Sequence, residues 1–160
     1  MKLSFAILLF LSLALGGCKD GESAKTKDSE ITWLSVEGAD KVNNSDKKRY
    51  FIDVYTEWCG WCKVMDQNTF TQPQVIKYMN ENFYNVKFDA EMKEKVSFNG
   101  ESFIWQSMGR GGINGLALKF LGGDLSYPSY VILDENKNPL VVMRGYMEAE
   151  QFLGSLESAH

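Results

Sequence analysis

The segment Tyr50-Phe51-Ile52-Asp53-Val54-Tyr55 is apolar apart from one carboxylate, and it runs almost directly into Trp58-Cys59-Gly60-Trp61-Cys62-Lys63. A strand with one solvated face alternates apolar and polar residues, whereas a near-continuous apolar run is covered on both faces and belongs at the centre of a sheet. The stretch from Trp58 to Met65 can open a helix straight after it. A central strand handing over to a helix at a Cys-x-x-Cys pair is the context in which that spacing carries chemical information.

The remaining elements fit around this hand-over. Ile31 to Leu34 reads as a short edge strand, and Ser35 to Lys48 as a polar surface helix. Thr71-Gln72-Pro73-Gln74 predicts a helix start, with Thr71 and Gln74 as a capping box and Pro73 in the first turn. Ile76, Met79 and Phe83 recur at helical spacing behind it, and Tyr84 to Asp89 reads as another strand. Asn99-Gly100 inside Val96 to Phe103 predicts a hairpin. Arg110 to Gly115 reads as a glycine-rich loop, and Ile113 to Leu121 as a short apolar helix stopped at Gly122-Gly123. Strands at Ser129 to Leu133 and Leu140 to Arg144 flank the turn 134–139, and a last helix from about Met147 to Leu156 should bury Phe152, Leu153 and Leu156.

The ends and the composition bound the class. Met1-Lys2 precedes an apolar run from Leu3 to Leu15, too short to span a bilayer that takes roughly 20 residues, so residues 1–17 are expected to be a signal peptide. Leu15-Gly16-Gly17-Cys18 resembles the lipobox of bacterial lipoproteins, which implies lipidation of Cys18 and a membrane anchor. Residues 18–30 hold little that could pack and read as a flexible tether, leaving 31–158 as one domain. With 44% hydrophobic and 13% aromatic residues that domain can build a core. A net charge of −4 without basic blocks argues against nucleic acid as a partner.

The chemistry follows from position. Unsatisfied N–H groups and the positive end of the macrodipole at a helix amino terminus favour a thiolate, and helix-start cysteines can ionise near pH 7 against about 8.5 for free cysteine. Cys59 is therefore the expected nucleophile, and Cys62, one helical turn on, the expected resolving thiol. A structural disulfide would close too small a loop to stabilise much. Zinc wants four ligands, and the one histidine is His160. A Cu(I) module built on Cys59, Cys62 and Met65, or a non-catalytic interaction domain, stand as alternatives. No metal and no cofactor is expected.

Phe51 to Lys63 resembles the active-site strand and helix of the thioredoxin superfamily, and Tyr127-Pro128-Ser129-Tyr130-Val131-Ile132-Leu133-Asp134 is similar to that family's cis-proline loop and following strand. Within it, the Trp-Cys-Gly-Trp-Cys-Lys signature resembles exported bacterial proteins akin to the reductase domains of disulfide-interchange systems. The resemblance implies an α/β three-layer sandwich, a central mixed sheet flanked by helices; the hairpin at Asn99-Gly100 and the loop 110–115 depart from it as an insertion before the cis-proline strand. It implies that Asp53 is the buried carboxylate that exchanges a proton with Cys62, and that Lys87 pairs with it, with Lys63 as a further support. It implies a cis Tyr127-Pro128 bond that presents backbone to an extended substrate; Trp58 and Trp61 would form an apolar rim beside Cys59, with Gly60 on the same substrate-binding surface. Thioredoxin carries Gly-Pro between its cysteines and isomerases often a His; here Gly60-Trp61 stands there, with no nearby His or Arg to favour the thiolate further. A dithiol reductase is the expectation, a monomer tethered to a bacterial membrane and facing the periplasm or the exterior. Its partners would be disulfide-containing exported proteins and a membrane-embedded electron donor.

Overall fold

The computed structural model describes residues 29–159. The predicted signal peptide, Cys18 and nearly all of the predicted tether lie outside the described residues. Trp33–Leu34 (β1), Arg49–Tyr55 (β2), Phe83–Asp89 (β3), Ser129–Leu133 (β8) and Pro139–Arg144 (β9) form one sheet in the order β1-β3-β2-β8-β9. β2 is the central strand. It runs parallel to β3 and antiparallel to β8, and all its residues from Tyr50 to Val54 are buried. Between β3 and β8 lie two hairpins, Val96–Phe98 (β4) with Glu101–Phe103 (β5), and Trp105–Met108 (β6) with Gly111–Asn114 (β7).

The helices cover both faces, which is why β2 reads apolar from Tyr50 to Tyr55 apart from Asp53. Val36–Asn43 (α1) and Gly115–Leu121 (α4) pack with Tyr50, Ile52 and Val54 on one face. On the other, Pro73–Asn82 (α3) and Ala149–Glu157 (α5) pack against Phe51, Tyr130 and Ile132. Phe51 anchors that second core, its ring 5.6 Å from both Tyr130 and Phe152 and 6.1 Å from Phe70. This is the thioredoxin-like three-layer arrangement expected from the resemblance.

Several local expectations need correction. The helix at Thr71 has no capping box: Gln72 occupies the cap position without a side-chain bond, and Thr71 Oγ1 donates instead to the carbonyl of Gln67 at 2.8 Å. Phe83 opens β3 rather than continuing α3, because its extended backbone (φ −133°, ψ 156°) ends the helix. Arg110 to Gly115 is not a loop. Gly111–Asn114 is a strand whose Gly112 lies under the Trp105 ring, where a Cβ would sit 2.0 Å from Trp105 Cζ2. α4 consequently starts at Gly115, capped by Asn114, whose side chain accepts the Leu116 N–H at 3.0 Å. Leu153 is only partly buried. The Asn99-Gly100 hairpin is present, with both residues at positive φ (51° and 79°).

Candidate disulfide-exchange site

β2 ends at Tyr55, and a short turn delivers Cys59 to the mouth of Gly60–Val64 (α2), which continues as a π-helical turn, Met65–Thr69. Cys59 takes an extended conformation at the cap position, its N–H donating to the Thr56 carbonyl at 3.1 Å. Its sulfur accepts the Cys62 N–H at 3.1 Å, so one of the helix's orphan donors points at the sulfur. The two cysteines are joined, with S–S 2.01 Å and Cα atoms 5.3 Å apart. Both are buried, while the tryptophans around them are not: Trp58 is 65% and Trp61 60% exposed.

The proline segment meets this helix mouth because β8 runs antiparallel to β2. The register pairs Val54 with Ser129, which sets Pro128 beside the end of β2. The Tyr127–Pro128 bond is cis. The Tyr127 ring stands edge-on to Trp58 at 5.8 Å, and Trp61 leans on Tyr146 at 5.5 Å. A cavity of about 240 Å³ opens between Trp58, Tyr127 and the β6–β7 hairpin, with Met108, Ile113 and Leu125 in its walls. Sequence reasoning missed Glu91, which accepts from Trp58 Nε1 at 3.1 Å and fixes the indole. Nothing local to Glu91 marks that role, since the contact spans 33 residues.

Beneath the surface Asp53 and Lys87, the pair that the resemblance implied, are part of a longer charged row. Asp53 pairs in register with Lys87 on β3 and with Tyr130 on β8, so the three side chains share one face of the sheet. Lys87 Nζ lies 2.7 Å from Asp53 Oδ2. Among the described residues Asp53 Oδ1 has no hydrogen-bond partner. Burial pushes the Asp53 carboxyl up to about 6; Lys87 pulls it down, and Asp66 pushes it up again. Burial opposes the charge on Lys87, but its two carboxylate partners outweigh this and raise it above the ordinary lysine value. Burial likewise raises the Tyr130 phenol, and the charges of Asp53 and Asp66 raise it further. Asp66 was not foreseen as part of this row.

Two sequence candidates fall elsewhere. Lys63 is exposed in α2 and makes none of the ion pairs around Asp53. Met65, the third candidate copper ligand, is buried, and its sulfur accepts the Met147 N–H at 3.4 Å.

The fold and the paired cysteines define a thioredoxin-fold protein. A family model described as Thioredox_DsbH, "Protein of unknown function, DUF255", matches residues 23–156, and the chain belongs to that family. A solved structure described as DsbH Oxidoreductase superposes with a TM-score of 0.59 at 14% identity, covering 89% of this chain and 94% of that one. A putative disulphide-isomerase from Bacteroides thetaiotaomicron gives 0.56 at 24% identity, over 79% of this chain and 88% of the other. The oxidised DsbD C-terminal domain of Neisseria meningitidis gives 0.53 at 18%, over 78% and 91%. These likenesses show the fold. Among curated proteins, the uncharacterized B0495.5 of Caenorhabditis elegans is 33% identical over 87 residues, 53% of this chain but 12% of that protein. An uncharacterized protein of Archaeoglobus fulgidus is 28% identical over 96 residues, 60% of this chain and 72% of its own. The chain thus spans only a small part of the worm protein's length.

Proposed function

We propose that the chain is a thiol–disulfide oxidoreductase working as a dithiol reductase of exported protein disulfides. The observation that carries this is the seat of Cys59: a capping sulfur that accepts a helix N–H, bonded to Cys62 and framed by exposed tryptophans and the cis-proline segment. On reduction that N–H faces a thiolate and favours it.

The Cys59 thiolate attacks one sulfur of a substrate disulfide; the substrate S–S bond breaks, its other sulfur leaves and takes a proton, and a mixed disulfide remains. Cys62 gives its proton to the Asp53 carboxylate and attacks the Cys59 sulfur; the bond between Cys59 and the substrate sulfur breaks, and that sulfur takes a proton and leaves as the second substrate thiol. Two electrons pass from the chain to the substrate, which ends as a dithiol while Cys59 and Cys62 end bonded. A dithiol donor, expected in the membrane, restores the pair. Trp58, Gly60, Trp61, Tyr127 and Pro128 line the surface on which an extended substrate segment would lie. Lipidation at Cys18 would hold the domain at a bacterial membrane on its outer side.

Reduction of insulin by dithiothreitol with and without the chain tests the activity. The native chain is expected to accelerate precipitation, Cys59→Ser to abolish the acceleration, and Cys62→Ser to accumulate a mixed disulfide visible by non-reducing electrophoresis. Acceleration that survives Cys59→Ser would remove the proposal.

A further inference from the structure

The helix that carries the cysteines changes its winding just past them. Phe70 N–H donates to the Met65 carbonyl at 3.0 Å, five residues back, so Met65–Thr69 is a widened π turn, a feature concentrated at functional sites. Asp66 is the second residue of that turn, and its Oδ1 takes a hydrogen bond from Lys87 Nζ. The same ammonium contacts Asp53 at 2.7 Å, so one cation bridges two carboxylates from different elements. Their exposure is graded: the Asp53 side chain is 2% exposed, Lys87 23% and Asp66 42%. Rings fix the ammonium between them, Trp33 and Tyr55 at 5.2 Å and Phe70 at 5.5 Å from their centroids. Asp53 alone already pairs Lys87. What Asp66 adds is a competitor for the ammonium and a like charge near the buried carboxyl.

We infer that Asp66 is a positioning residue that sets the basicity of Asp53 through the Lys87 ammonium they share, and that the π turn exists to bring it there. The inference deepens the proposed function and rests on Asp53 as proton acceptor for Cys62. The groups facing Asp53 are Lys87 from β3, Asp66 from the π turn, Tyr130 from β8 and Tyr55 from its own strand. The phenols sit above their ordinary range and stay neutral, leaving Lys87 and Asp66 as the charges that matter. Burial dominates the rise at Asp53, Lys87 opposes it, and Asp66 adds to it. Removing the Asp66 charge frees Lys87 for Asp53 alone and removes a repulsion, and both changes favour the ionised Asp53.

The test follows the Asp53 carboxyl carbon by NMR in the oxidised full-length chain, where neither Cys59 nor Cys62 titrates. Asp66→Asn is expected to lower the Asp53 midpoint by about half a pH unit or more, and Asp66→Glu to restore it. Near-UV circular dichroism checks that the variant is folded, with Asp66→Ser in its place should the native signal be lost. A midpoint that stays put or rises overturns the inference. The acidic limb of the rate at which Cys62 resolves the mixed disulfide should move with the midpoint. A moved midpoint with an unmoved limb supports the action of Asp66 on Asp53 and removes Asp53 as acceptor. A limb erased by Asp53→Asn but unmoved by Asp66→Asn, with no shift in the midpoint, overturns the role of Asp66 and leaves the acceptor standing.

Discussion

Asp53 sits where burial opposes charge, so its titration enters stability as well as chemistry. In the folded chain it titrates near 6, against an ordinary value of 3.8. Between those values the folded chain binds more protons than the unfolded one, so stability falls as pH rises through that window and is level above it. Two units correspond to about 3 kcal/mol, an upper figure for a residue that keeps its Lys87 partner. Asp53→Asn cannot ionise and is therefore expected to exceed the native chain in stability by about 2 kcal/mol at pH 7.5 and to match it at pH 4. Urea unfolding at the two pH values checks this, and a difference of equal size at both would contradict the assignment. On the proposed mechanism the same substitution should also slow resolution of the mixed disulfide, since Cys62 would lose its acceptor. Both outcomes together, lower stability at neutral pH and a need for the side chain in turnover, would mark Asp53 as a functional residue rather than a structural one.

At the scale of elements, what was legible in the sequence is what local chemistry decides. The apolar run of β2 and the helix start at Cys59 were readable because burial on both faces and a helix mouth each leave a local signature. The β4–β5 hairpin was readable from Asn99-Gly100, which supply the positive φ values its turn requires. The β6–β7 hairpin was not, because glycines in a strand read as a loop until the ring that occupies their side-chain space is known. Trp105 fills the place of a side chain at Gly112, a cross-strand fact that no window of sequence contains. Asp66 was missed for a related reason: a helical reading assumes regular winding, and the π turn breaks it. Gly112→Ala should therefore be costly. Its Cβ would lie 2.6 Å from the Gln106 carbonyl as well as inside the Trp105 ring contact, so backbone must move. A loss of about 1–3 kcal/mol in urea unfolding is expected, with a raised KM for a protein disulfide, since the hairpin walls the cavity beside Trp58. A substitution tolerated without either effect would show that the hairpin is not held by this packing.

The molecule as a whole brings distant segments to one end of one sheet. β2 delivers the cysteines and β8, running the other way, delivers the cis proline. The Tyr55 carbonyl accepts the Ala90 N–H at 2.8 Å, and the Ala90 carbonyl accepts the Asn114 N–H at 2.7 Å, which ties the β6–β7 hairpin to the same end. This convergence fixes where exchange would occur, while the direction of electron flow depends on what stabilises the reduced pair. The helix N–H at Cys59 favours the thiolate, but Trp61, not a histidine, stands between the cysteines, and the nearest ammonium of the buried row is held by Asp53 and Asp66. A thiolate with one modest source of stabilisation leaves the disulfide hard to reduce, so equilibration with dithiothreitol should give a reduction potential near or below about −250 mV. Trp61→His places a cation beside the sulfur and should raise the potential by about 30 mV or more, equivalent to about 1.4 kcal/mol of added stability in the reduced form. A native potential near about −120 mV would make the chain an oxidant and reverse the proposed direction of transfer.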